Sequence, residues 1–332
     1  MPKLFSVARS RFVISLLLTF HFLLLPLAAF TWGFFAHKKT NQLAVFTLPP
    51  KMISFYKKNI DYLTAHAVDP DQRRYSHSEE AARHYIDLDH YGKNASDSVP
   101  KKWKEAVKKY SEDSLNAYGI VPWHIEMMMN RLTAAFKEGN VDRILYLSAN
   151  LGHYVEDAHV PLHAAENYNG QLTHQTGIHG LWEARIPELL SDQWDFFVGR
   201  ANYIDKVNEE IWKIIKKSNL EADSALKFEA KLNSEWDPDK KYSFEKKGST
   251  TAKVYSSEYA IAYEKMMDEM VERKMRESII DVGSFWYTAW VNAGEPDLDR
   301  LLIKEVSDSL KEIKEETEQL WKSGKPLKGH EE

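Results

Sequence analysis

The 332-residue chain contains no cysteine. Thiolate metal sites and any disulfide framework are thereby excluded. Excess positive charge is also missing: 44 Lys and Arg stand against 49 Asp and Glu, a formal charge of −5. Such a chain does not offer the wide basic face that duplex nucleic acid requires. Glycine is sparse at 14 residues, while tryptophan and tyrosine are plentiful at 10 and 16, a composition suited to a sizeable helical core. No strand-like alternation persists over any stretch, and no internal repeat is visible. The length permits one large domain or two. We read a single all-α domain over residues 32–325.

A leader precedes that domain. Lys3, Arg9 and Arg11 give a positive start, and 12–27 is an apolar run broken only by small polar residues and His21. Pro26 and the small pair Ala28-Ala29 follow. This is the pattern of a secretory signal peptide over residues 1–31. The alternative is a permanent anchor, because the run is about as short as a spanning helix can be. A cut after Thr31 would make Trp32 the new N-terminus; a cut after Ala29 would leave Phe30-Thr31 attached. An exported chain without cysteine suggests a bacterial protein of the periplasm or the cell exterior.

Apolar residues at helical spacing predict helices over about 37–48, 50–58, 101–118, 122–138 and 141–159, with Gly139-Asn140 as a break. Pro187 introduces a kink or a fresh start. Further helices are expected over 194–218, 222–232, 255–292 and 298–322. Residues 233–252 lose periodicity and gain charge, and read as a surface insertion that could act as a lid. Residues 67–92 hold Asp69, Asp71, His77, His84, Asp87, Asp89 and His90. Asp-Pro-Asp is a turn signal, and taken alone the segment is a charged loop. Ser78-Glu79-Glu80-Ala81 reads as a helix start, from which His84 would face inward.

The chain is organised around residues 153–183, which hold five of its 13 histidines. His153/Asp157 and His179/Glu183 are four apart, so on a helix each pair shares a face and can close on one cation. Pro161 stops the first helix and presents His163 just beyond its end. A single His-x-x-x-Asp pair is usually a surface ion pair; two of them flanking His163-Ala-Ala favour a metal, and imidazole with carboxylate suits zinc. His159 and His174 have no acid at helical spacing toward the pairs and are set aside.

Trp-x4-His behind a signal peptide, then an Asp, His-aromatic-x-Asp, His-x3-Asp-x5-His-Ala-Ala and His-x3-Glu together resemble the zinc-dependent phospholipases C. The single-strand-specific zinc nucleases share that fold and most of the ligands. The resemblance spans residues 32–183, with weaker likeness near Trp286. It implies three zinc ions at the bottom of a cleft in an all-helical domain. Asp69, His84, His153 and Asp157 would hold one ion; His163, His179 and Glu183 a second; Trp32, through its free amine and carbonyl, would join His37 and Asp157 on the third. Asp71 is the reserve for Asp69.

A zinc cluster suits phosphodiester hydrolysis, because closely spaced cations neutralise the developing charge and lower the pKa of a bound water toward ~7. Asp69 could orient that water as a base, and Glu156 and Asp87 are candidates to fix imidazoles from behind. Glu183, where the nucleases usually carry Asp, and the acidic charge favour a phospholipid and transient contact with a membrane surface. Pro70 and Ala81 stand where the phospholipase branch has choline-pocket aromatics. In the nucleases the residues after the His84 position help hold a base, so Tyr85 and Asp87 would bind substrate there; Arg73 and Arg74 lie near the place of a transition-state arginine. The expected activity is cleavage of the glycerol–phosphate ester of phospholipids. The alternatives are a single-strand nuclease or 3'-nucleotidase, and a non-catalytic helical protein stabilised by zinc. No obligate protein partner is implied.

Overall fold

The computed structural model describes residues 33–247 and 250–302. At its centre runs a helix, Val141–His159, in which every residue from 147 onward is buried. Burial on all sides normally demands an all-apolar helix. This one carries His153, Glu156, Asp157 and His159 inside, so each must find a partner there or carry a large desolvation cost. Val121–Glu138, Met270–Asn292, Phe34–Ala44 and Val207–Glu235 pack against it. Trp286 is fully buried in this core, stacks on Tyr56 at 5.1 Å, and donates its indole N–H to the Ser148 carbonyl at 2.9 Å. Large side chains buried this fully contribute roughly 1.5–3 kcal/mol each.

Local signals end the central helix at both sides. Gly139 takes a left-handed φ of +62° and closes the preceding helix. Asn140 then accepts from the Arg143 amide at 3.1 Å as the cap of the next. Pro161 disfavours helical geometry at Val160, which is extended at φ −72°, ψ 117°. Beyond it the chain enters a second apolar cluster containing Leu162, Ile178, Trp182, Tyr259 and Tyr263. The histidine-rich stretch therefore spans the seam between two cores.

Several expected elements fall differently. The first helix begins earlier, at Phe34, and ends as a 3-10 turn, Val45–Thr47. The 101–118 segment breaks at Ser111 (φ +70°) into Trp103–Tyr110 and Glu112–Tyr118. The start expected at Ser78 yields only a 3-10 turn, Ala81–Arg83. Residues 194–206 have no α-helix, and the two helices expected over 194–232 are one, Val207–Glu235; its buried positions 211, 212, 214, 215, 218, 222, 225, 229 and 232 follow one face without a breaker. The 255–292 helix is two, Ser257–Met266 and Met270–Asn292, parted where Asp268 and Glu269 take positive φ. Strand is present after all: Tyr242–Lys247 and Thr250–Tyr255 form an antiparallel hairpin that starts within the expected insertion and runs past its end at 252. The leader, Trp32 and the part of the expected last helix beyond residue 302 lie outside the described residues. No described helix is long and apolar enough to cross a membrane.

Candidate metal centre

Three groups of donor atoms converge where the two cores meet. They are His37, His153 and Asp157; Asp71, His84 and His153; and His163, His179 and Glu183, each with its donors within 4.8 Å of one another. Phe34–Ala44 supplies His37 and the central helix supplies His153 and Asp157. The turn Pro161–Ala164 supplies His163, and the short helical segment 178–185 supplies His179 and Glu183.

Asp157 joins the groups. Its Oδ2 lies 3.0 Å from His84 Nδ1 and 3.2 Å from His153 Nε2. Its Oδ1 lies 3.4 Å from His163 Nδ1 and 3.6 Å from His37 Nε2. Glu183 closes the other side, with Oε2 2.5 Å from His179 Nε2 and Oε1 3.7 Å from His37 Nε2.

Hydrogen bonds from behind decide which nitrogen each imidazole turns inward. His153 donates from Nδ1 to the Ala67 carbonyl at 2.9 Å, and His163 from Nδ1 to the His84 carbonyl at 2.9 Å. His37 Nδ1 is held by Glu156 Oε2 at 3.0 Å, the role the sequence suggested for Glu156. In each ring Nε2 is then the lone pair facing the cluster. His153 Nε2 and His84 Nδ1 stand 3.1 Å apart, and His163 Nε2 and His179 Nε2 stand 3.0 Å apart. Facing lone pairs repel unless a proton or a cation lies between them. Two imidazoles on one tetrahedral zinc bring their nitrogens to about 3.3 Å, so the spacing and the nitrogen–oxygen donor set both fit that ion.

The electrostatics point the same way. Burial alone would lower His37 and His163, but Glu156 raises the first well above its ordinary value and Asp157 raises the second to about 9. Burial would raise Asp157 and Glu183, yet the neighbouring histidines hold both carboxyls well below the usual range. The buried carboxylates thus call for positive charge. His84 goes the other way: burial depresses it to about 4, so it is a neutral donor.

Of the two aspartates, Asp71 is the one within the three donor groups. Asp71 Oδ1 is 3.6 Å from both His84 Nδ1 and His153 Nε2, and its Oδ2 is 3.9 Å from His37 Nε2. Asp69 instead pairs with His66 Nδ1 at 2.6 Å. Arg73 also points away from the cluster, into an ion pair with Glu80 and hydrogen bonds to Asn150 and Tyr154. Arg74 is the arginine whose charge reaches His84 and Tyr85.

Tyr85 and Asp87 are buried on the segment that follows His84. That segment is pinned to the group of His163, His179 and Glu183, since the Ile86 amide donates to the His163 carbonyl at 2.9 Å. Burial, then Glu166 and Asp89, pushes Asp87 up to about 8. His159 turns to Asp281 at 3.0 Å, and His174 is exposed at φ +60°; neither enters the three groups. Gly33 packs so closely that a Cβ there would collide with Glu183 Oε1, so the backbone at Gly33 lies against the cluster. A groove of about 1280 Å³ beside Tyr203, Trp212 and Lys213 contains none of the residues of the three donor groups.

No curated protein matches the chain. Among solved structures it is similar to the alpha-toxin of Clostridium perfringens isolated from avian strain SWCP, at 12% identity and a TM-score of 0.45 over 80% of this chain and 65% of that one. The alpha toxin from Clostridium absonum gives 14% identity and a TM-score of 0.44 over 78% and 64%. The chain thus spans somewhat less than two thirds of those toxins. The model of the family described as zinc dependent phospholipase C matches residues 36–246. That is more than half of the sequence and includes every donor named above, and the chain belongs to the zinc-dependent phospholipase C family.

Proposed function

We propose that the protein hydrolyses the glycerol–phosphate ester of phospholipids, releasing diacylglycerol and a phosphorylated head group. The observation that carries this is the single carboxylate Asp157 placed between three donor groups. Asp71, His84, His153 and Asp157 would hold one zinc ion, His163, His179 and Glu183 a second, and His37 with Asp157 a third, to which Trp32 would add its backbone. Bound there, zinc supplies Lewis-acid neutralisation of phosphodiester charge and an acidified water. The chain's own part is to orient and to exclude. Glu156, the Ala67 carbonyl and the His84 carbonyl fix three imidazoles in the inward-facing tautomer. Asp71 takes over from Asp69 as the carboxylate set to accept the proton of the attacking water.

The test is an assay of purified protein on phosphatidylcholine, phosphatidylethanolamine, single-stranded DNA and single-stranded RNA, with elemental analysis of the same sample. Release of phosphorylated head group with about three zinc ions per chain is expected. Digestion of single-stranded DNA without lipid turnover would make the protein a nuclease. Bound zinc with no hydrolysis of any substrate would leave a structural role alone.

A further inference from the structure

Glu80 is fully buried, yet the cluster described above does not include it. Its carboxylate is gripped from three sides. Arg73 approaches with Nε at 3.3 Å and Nη2 at 3.4 Å, Arg83 with Nη1 at 2.6 Å, and the Tyr154 hydroxyl donates to Oε1. Burial alone would raise this carboxyl, but Arg73, followed by His84 and Arg83, holds it well below the usual range. The three anchors come from three different segments, and each sits one or two residues from a donor of a single group: Arg73 from Asp71, Arg83 from His84, Tyr154 from His153. Glu80 is therefore the knot that ties together the three stretches of chain forming that group.

The fourth side of the carboxylate faces His84. His84 turns Nδ1 to Asp71, Asp157 and His153, leaving Nε2 on its far edge. That Nε2 is buried with no hydrogen-bond partner, and Glu80 Oε1 stands 3.8 Å from it. In His37, His153 and His163 the outer nitrogen already has its acceptor.

We propose that Glu80 is the positioning residue of His84: its fixed carboxylate draws the Nε2 proton outward and leaves the Nδ1 lone pair for a cation shared with Asp71 and His153. An outer carboxylate of this kind is worth 10–100-fold in metal affinity. The proposal rests on reading this group as a cation site.

The test measures metal, not activity. Full-length wild type, Glu80→Gln and Tyr154→Phe are titrated with zinc against a chromogenic chelator, and cobalt is used to record the visible spectrum of each class of bound ion. Circular dichroism confirms the fold. Glu80→Gln should weaken one class of ion 10–100-fold, with a changed cobalt spectrum for that class and the others unmoved. Tyr154→Phe, which removes one anchor and leaves the charges intact, should give a smaller loss in the same class. If Glu80→Gln fails to fold, Tyr154→Phe decides alone. Wild-type affinity in the folded variants, or equal loss across all classes, overturns the positioning role while leaving the zinc reading in place. A wild type with no tight zinc overturns both.

Discussion

Asp157→Asn is the sharpest perturbation, because it preserves shape while removing the carboxylate that belongs to one group and reaches a histidine of each of the other two. Asp157 is 1% exposed, and four imidazole nitrogens lie 3.0–3.6 Å from its two oxygens. An asparagine keeps an acceptor on one side only. On the other it turns an NH₂ donor toward imidazoles poised to accept a cation. Stripping one partner from a buried charge cluster costs roughly 3–5 kcal/mol. At 1.36 kcal/mol per factor of ten, that is a loss of about 10²–10⁴ in affinity wherever Asp157 contributes. We expect the variant to lose more than one zinc ion and to hydrolyse a short-chain phosphatidylcholine at least ~10²-fold more slowly. The assay pairs elemental analysis after gel filtration with initial rates. His159→Ala is the control two residues away. Its ring pairs with Asp281 in the Met270–Asn292 helix rather than with the cluster, so metal content and rate should stay near wild type even if stability drops. Equal behaviour of the two variants, or an Asp157→Asn protein that keeps three ions and its rate, would refute the bridging role.

Three further outcomes are expected. Asp71→Asn should lower the hydrolysis rate by about 100-fold or more, whereas Asp69→Asn, which disturbs only the His66 pair, should stay within about threefold; the reverse order in initial rates would restore Asp69 to the site. His124 lies buried and depressed to about 3, first by burial and then by Arg83. Its folded pKa is below the unfolded value near 6.5, so the native state binds fewer protons and the stability it contributes is present above pH 6.5 and lost as pH falls from there toward about 3. The melting temperature of metal-free His124→Phe should accordingly vary less across that window than that of the parent, and an unchanged slope counts against the assignment. Finally, mature protein beginning at Trp32 should bind a full complement of zinc, while a chain beginning at Phe30 should bind the His37 ion more weakly, because only the free α-amine offers a lone pair; intact mass with zinc titration distinguishes the two, and equal affinity removes the amine from the site.

How much of this was legible in the sequence follows from the range of each interaction. His153/Asp157 and His179/Glu183 were readable because helical geometry fixes residues four apart on one face, and Pro161 marked the turn that carries His163. Glu156 was a candidate to fix an imidazole, but its partner, His37, was not readable, because that contact joins residues 119 apart in sequence. The choice between Asp69 and Asp71 was not visible in Asp-Pro-Asp itself. In the short helix Asp69–Arg73, two residues turn the side chain by about 200°, so one aspartate faces the cluster and the other faces away. The clue lay upstream, in His66 three residues before Asp69, a spacing that already forms an ion pair. The hairpin at 242–255 was obscured by its lysines, although Tyr242, Phe244 and their partners Tyr255 and Lys253 alternate with period two. Arg73 was misplaced for a different reason. Its role depends on Glu80, Asn150 and Tyr154 meeting in the interior, and proximity of an arginine to an expected site says nothing about which way its side chain is drawn. A buried carboxylate draws a guanidinium more strongly than an open cleft does, because it lacks water to screen it. The buried Glu80 carboxylate therefore sets the orientation of Arg73.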